Sequence, residues 1–186
     1  MTNTIHTIGL LTVLLFMSAR VSAQKIYTKN GRIAFYSKTP LEDISADNNQ
    51  VMSVINTQTG EVQFSVLVKN FRFKKALMEE HFNDSYLESG KYPKASFKGL
   101  IKDIAKVNFK VDGSYLVSVS GDLTIHGITK PVTAPCTLTI TGGKTAGSAK
   151  FFVRPTDYNI SIPKVVRDNI AETIEVTVNC NYDQQL

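Results

Sequence analysis

The stretch Ser114–Pro135, SYLVSVSGDLTIHGITKPVTAP, decides the fold class. Tyr115, Val117, Val119, Leu123 and Ile125 share one face, with Gly121 among them, while Ser118, Ser120, Asp122, Thr124 and His126 share the other. Such alternation belongs to a β-strand with one dry face and one wet face. A tight Gly-bearing turn then starts a second strand. A dry face of this length must be covered, which demands a sandwich or a closed barrel.

Turn signals punctuate the rest of the chain at short spacing, as in an all-β domain. Asn30-Gly31 precedes a strand with Ile33 and Phe35, and Ile44 to Ile55 makes a second, irregular around Asn48-Asn49. Thr57 to Gly60 turns into a third, on which Val62, Phe64, Val66 and Val68 share a face. Pro93 leads into a fourth with Ala95, Phe97, Gly99 and Ile101 in phase. Asp112-Gly113 and Gly142-Gly143 read as hairpin turns, since these residues tolerate positive φ. Ala149, Phe151 and Val153 mark a seventh strand and Glu172 to Cys180 an eighth. Eight antiparallel strands with short links predict a closed up-and-down barrel, which leaves no free edge. Pro135 cannot donate to a ladder, and a bulge there is expected to accommodate it.

One segment departs from the β pattern. In Phe73–Phe82, FKKALMEEHF, the apolar residues Phe73, Leu77, Met78 and Phe82 recur at helical spacing, with Lys74, Lys75, Glu79 and Glu80 on the polar side. A short amphipathic helix over one end of the barrel is expected.

Residues 1–23 read as a signal peptide: Ile8 to Met17 is apolar, and Val21-Ser22-Ala23 precedes Gln24. The apolar run is too short to span a bilayer. Residues 24–186 then form one exported domain, periplasmic or secreted, with 20 Lys and Arg against 16 Asp and Glu. That charge is dispersed, without the basic stripe and interleaved aromatics of a nucleic-acid binder. His81 and His126 have no His, Cys or carboxylate at ligand spacing, so no metal site is expected. No nucleophile with a base and an orienting acid is visible either, so neither catalysis nor a cofactor is expected. His126 reads as turn-stabilising or solvated. Cys136 and Cys180 lie in apolar phase on strands separated by one other, about 9–10 Å at the usual strand spacing. Two buried thiols are the favoured reading, and a disulfide would need an irregular wall.

An eight-stranded barrel lies at a size threshold: side chains just fill it, or it holds one small ligand. The inward phase collects Phe35, Phe64, Val66, Val68, Phe97 and Ile101, then Tyr115, Val117, Val119, Leu123, Ile125, Phe151 and Val153. Leu77, Met78 and Phe82 of the helix would close the end. These residues suit either a packed core or a cavity for an apolar tail, and the pattern leaves both open. A filled barrel would act as a structural, interaction or stress-protective module.

The run GDLTIHGITKPVT (121–133) resembles the strand–turn–strand signature of the YceI-like family. HFNDSYLESGKYPKASFKG (81–99) is similar to that family's helix exit, Tyr-Pro step and following strand. FVRPTDYNISIP (152–163) and VRDNIAETIEVTV (166–178) resemble its late Arg-bearing strand and its closing strand. The likeness runs from about position 71 to the C-terminus. Upstream, GRIAFYSKT stands where typical members carry a His-Ser pair. The resemblance implies an exported, lipocalin-like barrel that binds a polyisoprenoid, a quinone-like molecule or a fatty amphiphile. The sixteen inward and lid residues named above would then contact that ligand. A homodimer is compatible with this reading.

Overall fold

The computed structural model describes residues 25–185; the expected signal peptide lies outside the described residues. Ten strands form a single sheet. They are β1 (Lys25–Lys38), β2 (Asp43–Asn56), β3 (Glu61–Leu67), β4 (Arg72–Phe73), β5 (Lys94–Lys102), β6 (Gly113–Ile125), β7 (Ile128–Thr141), β8 (Lys144–Val153), β9 (Ile174–Tyr182) and β10 (Gln184–Gln185). Eight of them pair antiparallel in the cyclic order β1-β2-β3-β5-β6-β7-β8-β9, and β9 returns to β1. The expected eight-stranded closed barrel is therefore present, and closure gives each of its strands a partner on both sides. The two-residue strands β4 and β10 add to β2 and β1. Among the described residues no helix is long and apolar enough to cross a membrane.

The hairpin of β6 and β7 carries the alternation of the deciding stretch. Its register is unbroken from Gly113↔Ile140 to Ile125↔Ile128, and His126 and Gly127 supply the positive φ of a two-residue turn. Pro135 sits opposite Ser118 without a register shift, so no bulge accommodates it. β8 pairs with β7 only from Cys136 onward, so at Pro135 that side of β7 is open and a missing N–H costs no ladder bond. Cys136 keeps its inward phase and is buried.

Three local readings are corrected. Asn30-Gly31 lies inside β1, at register shifts against β2. A side chain at Gly31 would bring its Cβ to 2.6 Å from the Cys180 sulfur, so the glycine answers a close approach by β9 instead of making a turn. Asp112-Gly113 is not a hairpin turn either. β5 reaches β6 through a longer link with a 3-10 turn at Ile104–Lys106, where Asp103 takes the positive φ. The Asp112 carboxylate accepts the amide of Gly142 at 2.9 Å. Finally, α1 covers only Ala76–His81 and continues as a π-helical turn, Phe82–Tyr86. Phe73 is excluded from it because β4 pairs Phe73 with Ala46 of β2.

One end of the barrel holds the larger buried cluster. Ile26, Ile55, Val62, Val107, Leu138 and Tyr182 belong to it. The Tyr182 hydroxyl lies 2.8 Å from the Ser53 hydroxyl, and Ser53 has no exposed surface. Tyr182→Phe is expected to cost about 1–2 kcal/mol, because Ser53 loses its buried partner. The shift of the urea midpoint would measure it, and an unchanged midpoint would show the bond to be dispensable.

Candidate lipid-binding cavity

Above the packed end the barrel is hollow. A cavity of about 380 Å³ runs from Tyr182 and Leu138 at depth to Val166 and Ile170 at the mouth. Its walls come from the inward phase of the strands: Phe35, Phe64, Val66, Val68, Phe97 and Ile101, then Val119, Leu123, Ile125, Phe151 and Val153 all line it. A void of this size bounded by hydrocarbon falls in the range of small-ligand sites.

Gly99 and Gly121, side by side on β5 and β6, let the two strands approach closely, since a Cβ at Gly121 would meet the Lys98 carbonyl and the Gly99 Cα. Both follow the inward phase, and the Phe97 ring folds over Gly99.

The mouth is closed by the segment between β3 and β5. Phe82 stacks on Phe35 at 5.4 Å between ring centroids and meets Phe73 at 5.0 Å and Phe71 at 5.6 Å. This four-ring cluster, with Met78, forms the lid over one side. On the other side stand Tyr158 and Ile160, at and after the 3-10 helix Pro155–Tyr158, and Val166 on the 3-10 helix Lys164–Asn169.

Three expected contacts lie elsewhere. Leu77 points to solvent with 60% of its surface exposed and does not line the cavity. Met78 of α1 and Phe82 of the π-helical turn after it face inward, and Leu77 lies about 100° away from Met78. Tyr115 and Val117 have the inward phase but sit below the cavity, against the packed end with Val107 and Phe109. The Tyr115 hydroxyl donates to the carbonyls of Asn108 and Val111, each at 3.3 Å. Sequence reasoning missed Phe71, Tyr86, Leu87, Tyr158, Ile160 and Val166, most of which lie on turns where no fixed period encodes facing.

His126 joins the β6–β7 turn to both halves of the mouth. Its Nδ1 donates to the Tyr158 carbonyl at 3.0 Å, its Nε2 lies 2.7 Å from the Glu88 carboxylate, and its ring meets Tyr92 at 4.5 Å. The imidazole thus faces a carbonyl on one side and a carboxylate on the other. It does not line the cavity, so of the roles expected for it the structural one holds, in a buried setting.

Polar lining is sparse. Among the described residues Glu42, on the turn before β2, is the only carboxylate in the wall, and no Lys or Arg lines it. Its Oε1 accepts from Lys75 Nζ at 2.8 Å and its Oε2 from Asn169 Nδ2 at 3.3 Å. The Lys75 bond, then the Asn169 bond, hold its carboxyl below the usual range. One side chain thus ties the lid to the 164–169 turn.

Cys136 and Cys180 are free thiols in the deep wall, with β8 between their strands. Burial pushes Cys136 up to about 11 and Cys180 up to about 12. At pH 8 the thiolate fraction is then about one in a thousand or less. Native protein is expected to react with a disulfide reagent at pH 8 at least about a hundredfold more slowly than urea-unfolded protein. Comparable rates would show that the thiols are open to solvent.

The sequence profile of the YceI-like domain matches residues 23–182. This chain belongs to the YceI-like family. The match extends the likeness upstream of Phe71, where the sequence motifs stop. A curated Escherichia coli O157:H7 relative named Protein YceI is 30% identical over 137 residues, 70% of this chain and 59% of that protein. A UPF0312 protein of Vibrio parahaemolyticus is 46% identical over 48 residues, 26% of this chain and 22% of its own length. The chain therefore spans less than two thirds of either relative. Among solved structures, a polyisoprenoid-binding domain from Saccharophagus degradans shares the YceI-like fold with a TM-score of 0.74 at 16% identity, covering 86% of this chain and 97% of its own. BcnA of Burkholderia cenocepacia superposes with a TM-score of 0.69 at 16% identity, over 81% and 95% of the two chains.

Proposed function

We propose that this YceI-like protein is an exported, non-enzymatic carrier that holds one long-chain amphiphile of isoprenoid, quinone-like or fatty type in its barrel. The observation that carries the reading is the 380 Å³ cavity with a hydrocarbon wall. The Saccharophagus degradans domain of the same fold, described as polyisoprenoid-binding, agrees with it. Export rests on the apolar run Ile8–Met17 and the small residues before Gln24.

Each buried methylene contributes about 0.8 kcal/mol, so a tail with ten buried carbons gains about 8 kcal/mol before association costs. That gain supports reversible capture. The tail lies along the barrel, the head stays at the mouth, and the lid segment of α1 and the π-helical turn, residues 76–86, swings aside for entry. Neither α1 nor the π-helical turn contains a fully buried residue, which suits a segment that opens at low cost.

Organic extraction of the purified protein followed by mass spectrometry tests the proposal. A co-purifying lipid at near-stoichiometric amount, or uptake of a polyprenyl probe, is the expected result. Protein that carries no lipid and takes up no probe would leave the barrel as a structural module.

A further inference from the structure

The carrier reading does not say which head group the mouth accepts, but the distribution of charge around the cavity does. The wall is apolar from its deep end to the rim, and its one carboxylate, Glu42, stands at the rim. Glu42 is partly buried and shares the lining with Ile44 and Asn169, so its carboxylate borders the path of a head group at the mouth. The nearby cations have a different placement. Lys38, Lys74, Lys164 and Arg167 are exposed, and none lines the cavity. Lys75 reaches Glu42 from outside the wall and is committed to it at 2.8 Å. His81 adds a hydrogen-bonding ring at the same rim.

We infer that the mouth selects amphiphiles with a neutral or cationic head, such as an alcohol, a carbonyl or an amine, and rejects phosphate and carboxylate heads, with Glu42 as the determinant. The inference rests on the carrier reading and refines it. The physical reason is that an anionic head seated at the rim would lose water beside a carboxylate whose paired cation, Lys75, lies outside the wall, a cost that an alcohol avoids. An alcohol can instead donate to a free lone pair of the carboxylate, which its two present bonds do not exhaust.

Farnesol, farnesylamine and farnesyl phosphate share one tail and differ in head charge, so their affinities for the full mature protein isolate the head. Farnesol and farnesylamine are expected to bind at least about tenfold more tightly than farnesyl phosphate at low salt. In Glu42→Gln the farnesol affinity is expected to change less than about twofold, while the phosphate penalty shrinks at least about threefold. A second measurement needs no variant. Raising salt from about 50 mM to about 500 mM screens repulsion, so farnesyl phosphate should bind more tightly; a phosphate held by lysines would bind more weakly. The inference is overturned if farnesyl phosphate binds as well as farnesol, if its affinity falls with salt, or if Glu42→Gln leaves the ratio unchanged. Should none of the three bind, the carrier reading itself falls and takes the preference with it.

Discussion

Val119→Trp is expected to reduce uptake of a polyprenyl probe at least about tenfold while changing stability by less than about 1 kcal/mol. Val119 lies midway along β6, between Ile101 of β5 and Ala134 of β7, and its side chain faces the cavity. The indole has somewhere to go: it occupies space that a ligand tail would take. In a filled barrel the same change would overpack the interior and cost about 1–3 kcal/mol. Urea unfolding and probe uptake on the same preparations separate the two cases. Leu77→Trp serves as the control, because that side chain points to solvent and its replacement should alter neither quantity. A Val119→Trp protein that still takes up the probe at wild-type affinity would refute the cavity as the binding site.

Gly121→Ala is expected to be the most damaging single-methyl change in the barrel, at about 3 kcal/mol or more. The Cβ of an alanine would fall within contact distance of the Lys98 carbonyl oxygen and the Gly99 Cα, both backbone atoms of β5. Backbone in a paired strand cannot step aside as the end of a side chain can, so the β5–β6 ladder has to distort. In a domain of this size such a loss corresponds to a fall in Tm of about 6–12 °C. Gly90→Ala is the matched control, since nothing lies within 4 Å of its Cβ position, and it should stay within about 0.5 kcal/mol of wild type. A Gly121→Ala protein that melts with the wild type would mean that β5 and β6 separate more easily than their register suggests.

The two substitutions mark the difference between what the residues disclosed and what they concealed. Period two places Val119, Leu123 and Ile125 on the wall because every strand residue obeys the same alternation, and the structure keeps that order through β6 and β7. The level of a residue along the barrel axis has no such signal. Tyr115 and Val117 carry the same phase as Val119 yet lie against the packed end, because the β5–β6 link folds Val107 and Phe109 beneath them. Gly31 could be recognised as punctuation, but not as the answer to Cys180, which arrives from a strand far along the chain. Asp112-Gly113 has the composition of a hairpin turn, yet the chain bends at Asp103. The dipeptide permits positive φ without requiring it, and the pairing of the flanking strands decides where that freedom is used.

The mouth shows the limit most clearly. Helical spacing disclosed α1 and the inward facing of Met78 and Phe82. Its start depended on β4 capturing Phe73, a long-range pairing with Ala46 that local propensity does not contain. The 3-10 helices that complete the rim, with Tyr158 and Val166, follow no periodicity that would assign their facing in advance. Glu42 reads in the chain as one half of an acidic pair with Asp43. Its place at the rim arises when the β1–β2 turn, α1 and the 164–169 segment converge and Lys75 and Asn169 close on it.

The alternation in Ser114–Pro135 and its counterparts along the chain therefore determined the architecture: an all-β barrel, one dry face inward, with a short helix at an end. Whether that interior would be full or hollow depended on the summed volumes of side chains from eight strands and on the distances at which those strands pack. Those are sums and distances between residues far apart in the chain, and they take values only once the barrel has closed.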